Sequence, residues 1–180
     1  MEQWADIPGF EGYQISTLGR ARGCLKIRTM GPRKLCDKWR VLKLQPNRNR
    51  GGYLMLVLKS ERGGKATCFK VHRLVYELFV GPIPDNLTVD HIDGNRTNNE
   101  LRNLRLATRL QQQHNRKPHN GRRFKGTSFD RRGKSWVATI RVNGAAQRLG
   151  LFETERDAAL AYNEAAIKYF GEFARVNVIE

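Results

Sequence analysis

Apolar and polar residues alternate most clearly over Ser135–Val142, with Trp136, Ala138, Ile140 and Val142 on one side and Val137, Thr139 and Arg141 on the other. A period of two marks a half-buried strand. Asn143-Gly144 follows, the pair preferred by a two-residue type I′ hairpin, so Ala145–Phe152 is expected to return as the partner strand. Thr154-Glu155-Arg156-Asp157 then has the form of a capping box, with Asp in place of the usual Glu or Gln. The helix it opens ends near Gly171 and sets Ala158, Ala161, Tyr162, Ala165 and Tyr169 on one side. The pattern predicts a three-stranded antiparallel sheet whose apolar face is covered by one helix. Its arginine-bearing face is left open.

Upstream, Tyr53–Lys59 and Ala66–Val71 read as strands around the turn Arg62-Gly63-Gly64. His72–Val80 reads as a helix stopped by Gly81-Pro82. Residues 1–50 hold short apolar clusters, glycines and turn signals. The basic stretch around residues 118–124 is broken by Pro118 and Asn120-Gly121 and reads as a linker. The expected organisation is therefore 1–50, 51–117, a linker 118–124, and 125–180, in an α+β chain.

Charge changes this picture most. Lys plus Arg number 33 against 17 Asp plus Glu, a net charge of +16. The excess is local: Arg20–Arg50 carries eleven Lys/Arg and one acid, and Arg102–Lys134 again eleven and one. Two basic stretches suit a long polyanion gripped at more than one place. Neither is accompanied by a basic amphipathic helix with a broad apolar face, so nucleic acid is favoured over a membrane. Mean hydropathy is −0.61, no run approaches the ~18 apolar residues of a membrane span, and Met1–Phe10 lacks the pattern of a signal peptide. A cytoplasmic location is expected. Cys24, Cys36 and Cys68 form no C-x-x-C pair, which argues against structural zinc and for three reduced, mostly buried thiols.

Candidate chemistry concentrates in Thr88–Arg116. Asp90-His91 precedes the turn Asp93-Gly94-Asn95. A carboxylate can hold a divalent cation against a phosphate, and a neutral imidazole can take a proton from water. Asp93 reads as a turn-shaping residue, His72 as structural or phosphate-facing, His119 as solvated, and Trp136 as core.

The series His72-Arg73-Leu74-Val75, Val89-Asp90-His91-Ile92-Asp93-Gly94-Asn95, Asn98-Asn99, Asn103-Leu104-Arg105 and Ala107-Thr108 resembles the HNH endonucleases of phage homing systems over roughly residues 65–116. The resemblance implies a ββα-metal (His-Me finger) core, two strands, a loop and a helix around one cation. It makes His91 the general base, Asp90 a metal ligand and Asn103 a residue that pins the loop. The third family position, usually His or Asn on the metal, is Gln112 here, with His114 and Asn115 close by. The implied cofactor is a divalent ion, Mg²⁺ first, with Arg105 and Arg109 holding the phosphate.

The flanks carry resemblances of their own. Trp4, Ile7, Pro8-Gly9-Phe10-Glu11-Gly12-Tyr13-Gln14-Ile15-Ser16 and Gly19-Arg20 resemble a nuclease-associated modular domain (NUMOD-four). Gly126, Trp136-Val137-Ala138, Ile140-Arg141, Leu149-Gly150, Phe152, Ala158-Ala159, Ala161-Tyr162, Ala165-Ala166, Gly171 and Asn177 resemble the ethylene-response-factor (AP-two) DNA-binding domain. That likeness implies a sheet lying in the major groove, with Thr139, Arg141 and Arg148 at contact positions and Arg131 and Arg132 beside them. The expectation is a metal-dependent homing-type endonuclease acting on double-stranded DNA as a monomer or homodimer. The alternative is a non-cleaving DNA-binding regulator descended from one; an RNA-directed protein is favoured by charge alone.

Overall fold

The computed structural model describes residues 1–26, 34–47, 49, 51–59, 65–118 and 121–179. The expected turn at Arg62-Gly63-Gly64, and His119 and Asn120 of the expected linker, lie outside the described residues. The chain forms two compact units, Met1–Ala107 and Thr108–Glu180.

The first unit opens with a sheet that the apolar pattern did not disclose. Strands β1 (Trp4–Asp6), β2 (Tyr13–Ser16), β3 (Ala21–Lys26) and β4 (Lys34–Val41) pair antiparallel in the order β1-β2-β3-β4. Three of them have six residues or fewer, too short for alternation to stand out between turns. A second sheet, order β5-β6-β7, contains β5 (Gln45–Asn47), β6 (Tyr53–Lys59) and β7 (Ala66–Lys70). β6 matches the predicted span, whereas Val71 opens helix α1 (Val71–Phe79) instead of closing β7. The helix buries Val71, His72, Leu74 and Val75, an i, i+3, i+4 stripe that faces a core. It stops where the N–H groups of Val80 and Gly81 both fall back on the Tyr76 carbonyl at 2.9 and 3.2 Å. Strands β8 (Thr88–His91) and β9 (Leu104–Ala107) close the unit as an antiparallel pair.

None of these sheets exceeds four strands, and each must bury its apolar face against another element. They do so together. Ile7, Ile15 and Ala21 from the first sheet and its turns share one core with Leu56 and Leu58 of β6, Val71, Leu74 and Val75 of α1, and Val89 and Leu104 of the β8–β9 pair. That core runs across position 50, where the sequence suggested a division. Among the thiols, Cys24 is buried but Cys68 is exposed. The expectation of mostly buried cysteines fails at Cys68 because it sits opposite Val57 on the outer face of β6–β7, where Val57 too is exposed.

The second unit starts with the short helix α2 (Arg109–His114), whose capping box is complete. Thr108 Oγ1 accepts from the Gln111 N–H at 3.2 Å, and Gln111 Oε1 accepts from the Thr108 N–H at 2.8 Å. Strands β10 (Thr127–Asp130), β11 (Ser135–Val142) and β12 (Ala145–Phe152) form an antiparallel sheet in that order, and α3 (Glu155–Phe170) packs on it. Both β11 and β12 match their predicted limits. Asn143 and Gly144 turn with φ of 50° and 84°, as a type I′ hairpin requires. At the start of α3, Thr154 Oγ1 accepts from the Asp157 N–H at 3.1 Å and donates to Asp157 Oδ2 at 2.7 Å. The shorter Asp side chain thus takes the hydroxyl proton, and only half of the expected box forms.

The buried face of α3 is Ala158, Ala159, Tyr162, Ala165 and Ala166. Ala161 is half-buried and Tyr169 is 44% exposed, a correction to the predicted face. The reason is that α3 lies across all three strands, which widens the covered stripe to include adjacent positions. Tyr162 packs with Ile140 and also covers Gly126, where φ is +80° and a Cβ would lie 1.9 Å from the ring. No helix among the described residues is long and apolar enough to cross a membrane.

Gly126→Ala should therefore destabilise the second unit by about 3 kcal/mol or more, from overpacking and a strained positive φ together. Urea unfolding of the variant against the parent checks this; an unchanged midpoint would mean that Tyr162 yields freely.

Candidate active site and nucleic-acid interface

β8 delivers Asp90 and His91 in succession, and the antiparallel register sets Asp90 across from Arg105 and His91 across from Leu104. Asp90 Oδ2 lies 3.3 Å from the Arg105 guanidinium, and both side chains are largely shielded at 12% and 13% exposure. His91 is buried, with Nε2 3.0 Å from Asn99 Oδ1. Consecutive side chains on a strand leave on opposite sides, so the neighbours have different partners. His91 also joins an aromatic cluster. Its ring lies 5.0 Å from His72 and 5.9 Å from Tyr53, and Tyr53 is 4.7 Å from His72.

The loop between the strands is tied from within by Asn103. The Asn103 side-chain amide donates to Asp93 Oδ1 at 3.0 Å and to the Asn98 carbonyl at 2.8 Å, and its Oδ1 accepts from the Asp93 N–H at 3.0 Å. The Asn103 carbonyl takes the Ile92 N–H at 2.9 Å. Asp93 shapes the turn, accepting from the Asn95 N–H and the Asn98 amide at 2.7 Å each. Burial pushes the Asp93 carboxyl up, but these hydrogen bonds, with the one from Asn103 and the nearby His91, bring it below the usual range.

His72 is the electrostatic oddity of the cluster. It is buried, and its Nδ1 finds no hydrogen-bond partner among the described residues. Burial, reinforced by His91, Lys70 and Arg73, brings its pKa down to about 3. It does not face outward to a phosphate as one of the two sequence readings had it.

The remaining predicted residues lie in the second unit. Gln112 is half-buried and Arg109 exposed, both on α2. Arg131 and Arg132 are exposed in the β10–β11 turn, where Asp130 Oδ1 accepts the Arg132 N–H at 3.0 Å. Thr139 pairs with Arg148, and Arg141 with Ala146. Val137, Thr139 and Arg141 alternate away from buried Ala138 and Ile140, so they and Arg148 share the sheet face opposite α3. The structure thus brings Asp90 to Arg105, binds Asn103 into the loop beside His91, and groups Thr139, Arg141 and Arg148. Trp136 is half-buried against exposed Phe129, with ring centroids 5.2 Å apart. Two residues around His91 had no site role in the sequence reading, Tyr53 and Asn99, while His72 was read as structural or phosphate-facing. Asn99 and His72 lay inside the quoted motifs, and Tyr53 carried no signal.

Known proteins and family models share parts of this sequence. A family model described as HNH endonuclease matches residues 69–114, and one described as the NUMOD4 motif matches residues 2–59. An uncharacterized HNH endonuclease of Acanthamoeba polyphaga mimivirus is 33% identical over 174 residues, covering 92% of this chain and 81% of that protein. DNA endonuclease I-HmuI of Bacillus phage SP01 is 36% identical over 107 residues, 59% of this chain and 52% of that protein. A solved structure described as DNA binding and cleavage by the HNH homing endonuclease I-HmuI aligns over 93% of this chain and 91% of that one, with 25% identity and a TM-score of 0.48. Dehydration-responsive element-binding protein 2D of Arabidopsis thaliana is 48% identical over 59 residues, 32% of this chain and 28% of that protein. The chain belongs to the HNH endonuclease family.

His72 yields a prediction with a definite sign. Between about pH 3 and 6.5 the unfolded imidazole binds a proton that the folded one refuses. Stability must therefore rise with pH across this window and be fully present above 6.5. His72→Phe should flatten that part of the stability–pH curve relative to the parent. Equal changes in unfolding free energy between pH 4.5 and 7 for parent and variant, from urea titrations, would exclude a neutral buried His72.

Proposed function

We propose that the chain is a metal-dependent, homing-type endonuclease that hydrolyses a phosphodiester bond in duplex DNA at a site selected by its flanking modules. The observation that carries this reading is His91 at the end of β8, hydrogen-bonded to Asn99, beside Asp90 and within the segment matched by the HNH model. In this reading residues 1–50 form a DNA-associated module and 51–117 the nuclease. Residues 118–124 are a basic linker, and 125–180 the reader.

A divalent ion suits the donors. Among the described residues no three His, Cys, Asp or Glu side chains cluster as a protein-only cage. Mg²⁺ typically takes one or two carboxylates and completes its shell with substrate phosphate and water. Asp90 would hold it, with the Gln112 amide oxygen as a second ligand supplied from α2. Bound there, the ion would supply Lewis-acid stabilisation of the phosphate oxygens. His91 takes the proton from the attacking water. Asn103 keeps the loop that carries Asp93 closed and reacts with nothing. Arg105, which pairs with Asp90, turns to the phosphate when the carboxylate is engaged, and Arg109 assists. Thr139, Arg141 and Arg148 on the open sheet face, with Arg131 and Arg132 at its edge, contact the duplex. One site per chain suits nicking by a monomer or paired cuts by a homodimer, in the cytoplasm of a bacterial or phage-infected cell.

Two observations favour a second reading, a DNA-binding regulator that does not cut: the third family position is Gln112, and Asp90 is already paired with Arg105. Supercoiled plasmid incubated with the protein and Mg²⁺, or with EDTA, separates the two. Relaxed or linear product only with Mg²⁺ supports cleavage, and its absence supports the regulator. His91→Ala should lower cutting by about 10²-fold or more with duplex affinity intact. Arg141→Ala should weaken duplex binding by about 1–3 kcal/mol without changing the rate once bound, as gel shifts and single-turnover assays would show.

A further inference from the structure

The first sheet reaches the candidate active site through one tight turn. Thr17–Arg20 links β2 to β3, and the Gly19 N–H closes the turn onto the Ser16 carbonyl at 2.9 Å. Ser16 is fully buried, and its Oγ accepts the N–H groups of Leu18 and Arg20 at 3.3 and 3.2 Å. The Thr17 carbonyl takes the Leu101 N–H at 2.8 Å. Gly19 has φ of +71°, and a Cβ there would lie 2.6 Å from Asn99 Cβ and 2.9 Å from the Asn99 carbonyl oxygen. Only a glycine admits so close an approach. The turn therefore seats Asn99, which is 2% exposed.

The orientation of the Asn99 amide is set from its other end. Its Nδ2 donates to the Thr97 carbonyl at 3.3 Å, which leaves Oδ1 facing His91 Nε2 at 3.0 Å. A carbonyl oxygen cannot donate, so Nε2 must carry the proton in this hydrogen bond. In the neutral ring the basic lone pair then belongs to Nδ1.

We propose that Gly19 and Asn99 are positioning residues: the turn of the N-terminal module seats the Asn99 amide, and Asn99 holds His91 in its Nε2–H tautomer with the ring fixed. The N-terminal module thereby shapes the catalytic base as well as accompanying the nuclease. This rests on the reading of His91 as the general base, and the tautomer can be measured without any cleavage.

The test is a long-range ¹H–¹⁵N spectrum of the full chain carrying ring-labelled histidine, without DNA or metal. The His91 signals are assigned by their loss in His91→Gln. Expected is the Nε2–H pattern for the parent, its retention in Asn99→Asp, which keeps an acceptor oxygen, and a mixture of tautomers in Asn99→Ala and Gly19→Ala. Should Gly19→Ala fail to fold, the Asn99 pair decides. In single-turnover nicking, Gly19→Ala should be slower by about 10-fold or more, in the range seen when an orienting partner is lost, with duplex Kd unchanged. An Nδ1–H ring in the parent, or an unaltered Nε2–H ring in Asn99→Ala, overturns the proposal. An Nε2–H ring in a protein that never cuts leaves the proposed tautomer in place and removes the nuclease reading instead.

Discussion

The candidate site depends on the closure of one loop by one side chain. Asn103 gathers Asp93, Asn98 and the backbone around Ile92 into a knot, and the two ends of that knot are the strands β8 and β9. Their register in turn places Asp90 opposite Arg105 and sends His91 inward to Tyr53, His72 and Asn99. A buried amide that satisfies both its donor and its acceptor positions in this way holds a specific geometry, because any shift leaves polar groups unpaired in a desolvated place. A residue with no proposed chemical step therefore governs where the candidate catalytic ones stand.

The inward side of His91 is dry and crowded, and it holds a second imidazole that stays neutral. Two histidines with ring centroids 5.0 Å apart cannot both be charged cheaply, and burial assigns the neutral state to His72. Tyr53 covers both rings from β6. The cluster belongs to the same packed body as the N-terminal sheet, since Ile7, Ile15 and Ala21 share their core with α1 and the β8–β9 pair. The family segment at residues 69–114 thus borrows part of its interior from residues that precede it.

Legibility in the sequence followed the length of each element. Eight-residue strands with a two-residue hairpin, and a helix of sixteen with a cap at each end, repeat their pattern often enough to be read. Strands of three or four residues, such as β1 and β2, complete no more than two periods, and eight-residue β4, Lys-Leu-Cys-Asp-Lys-Trp-Arg-Val, does not alternate cleanly, so the sheet they build was not read. In the site, Asp90, His91 and Asn103 stood out through their motif. That Asn103 pins the loop was implied by the resemblance, whereas Asn99 on the imidazole and Tyr53 over it are contacts across 8 and 38 residues of chain, and no local pattern encodes them. Gln112 shows the complementary case: its identity was plain from the sequence, but its helix α2 is grouped with the second compact unit.

Asn177 closes the part of the second unit that holds β10–β12 and α3. It accepts the Lys125 N–H, returns its own amide to the Lys125 carbonyl at 3.0 Å, and exchanges two further hydrogen bonds with Asn163. Lys125, two residues before β10, and Asn177, beyond α3, are therefore latched side by side. A segment whose two ends are fastened to each other keeps them at one place, the arrangement that lets a fold be carried into another chain. Such portability is in keeping with the stretch of similar sequence carried by a plant protein.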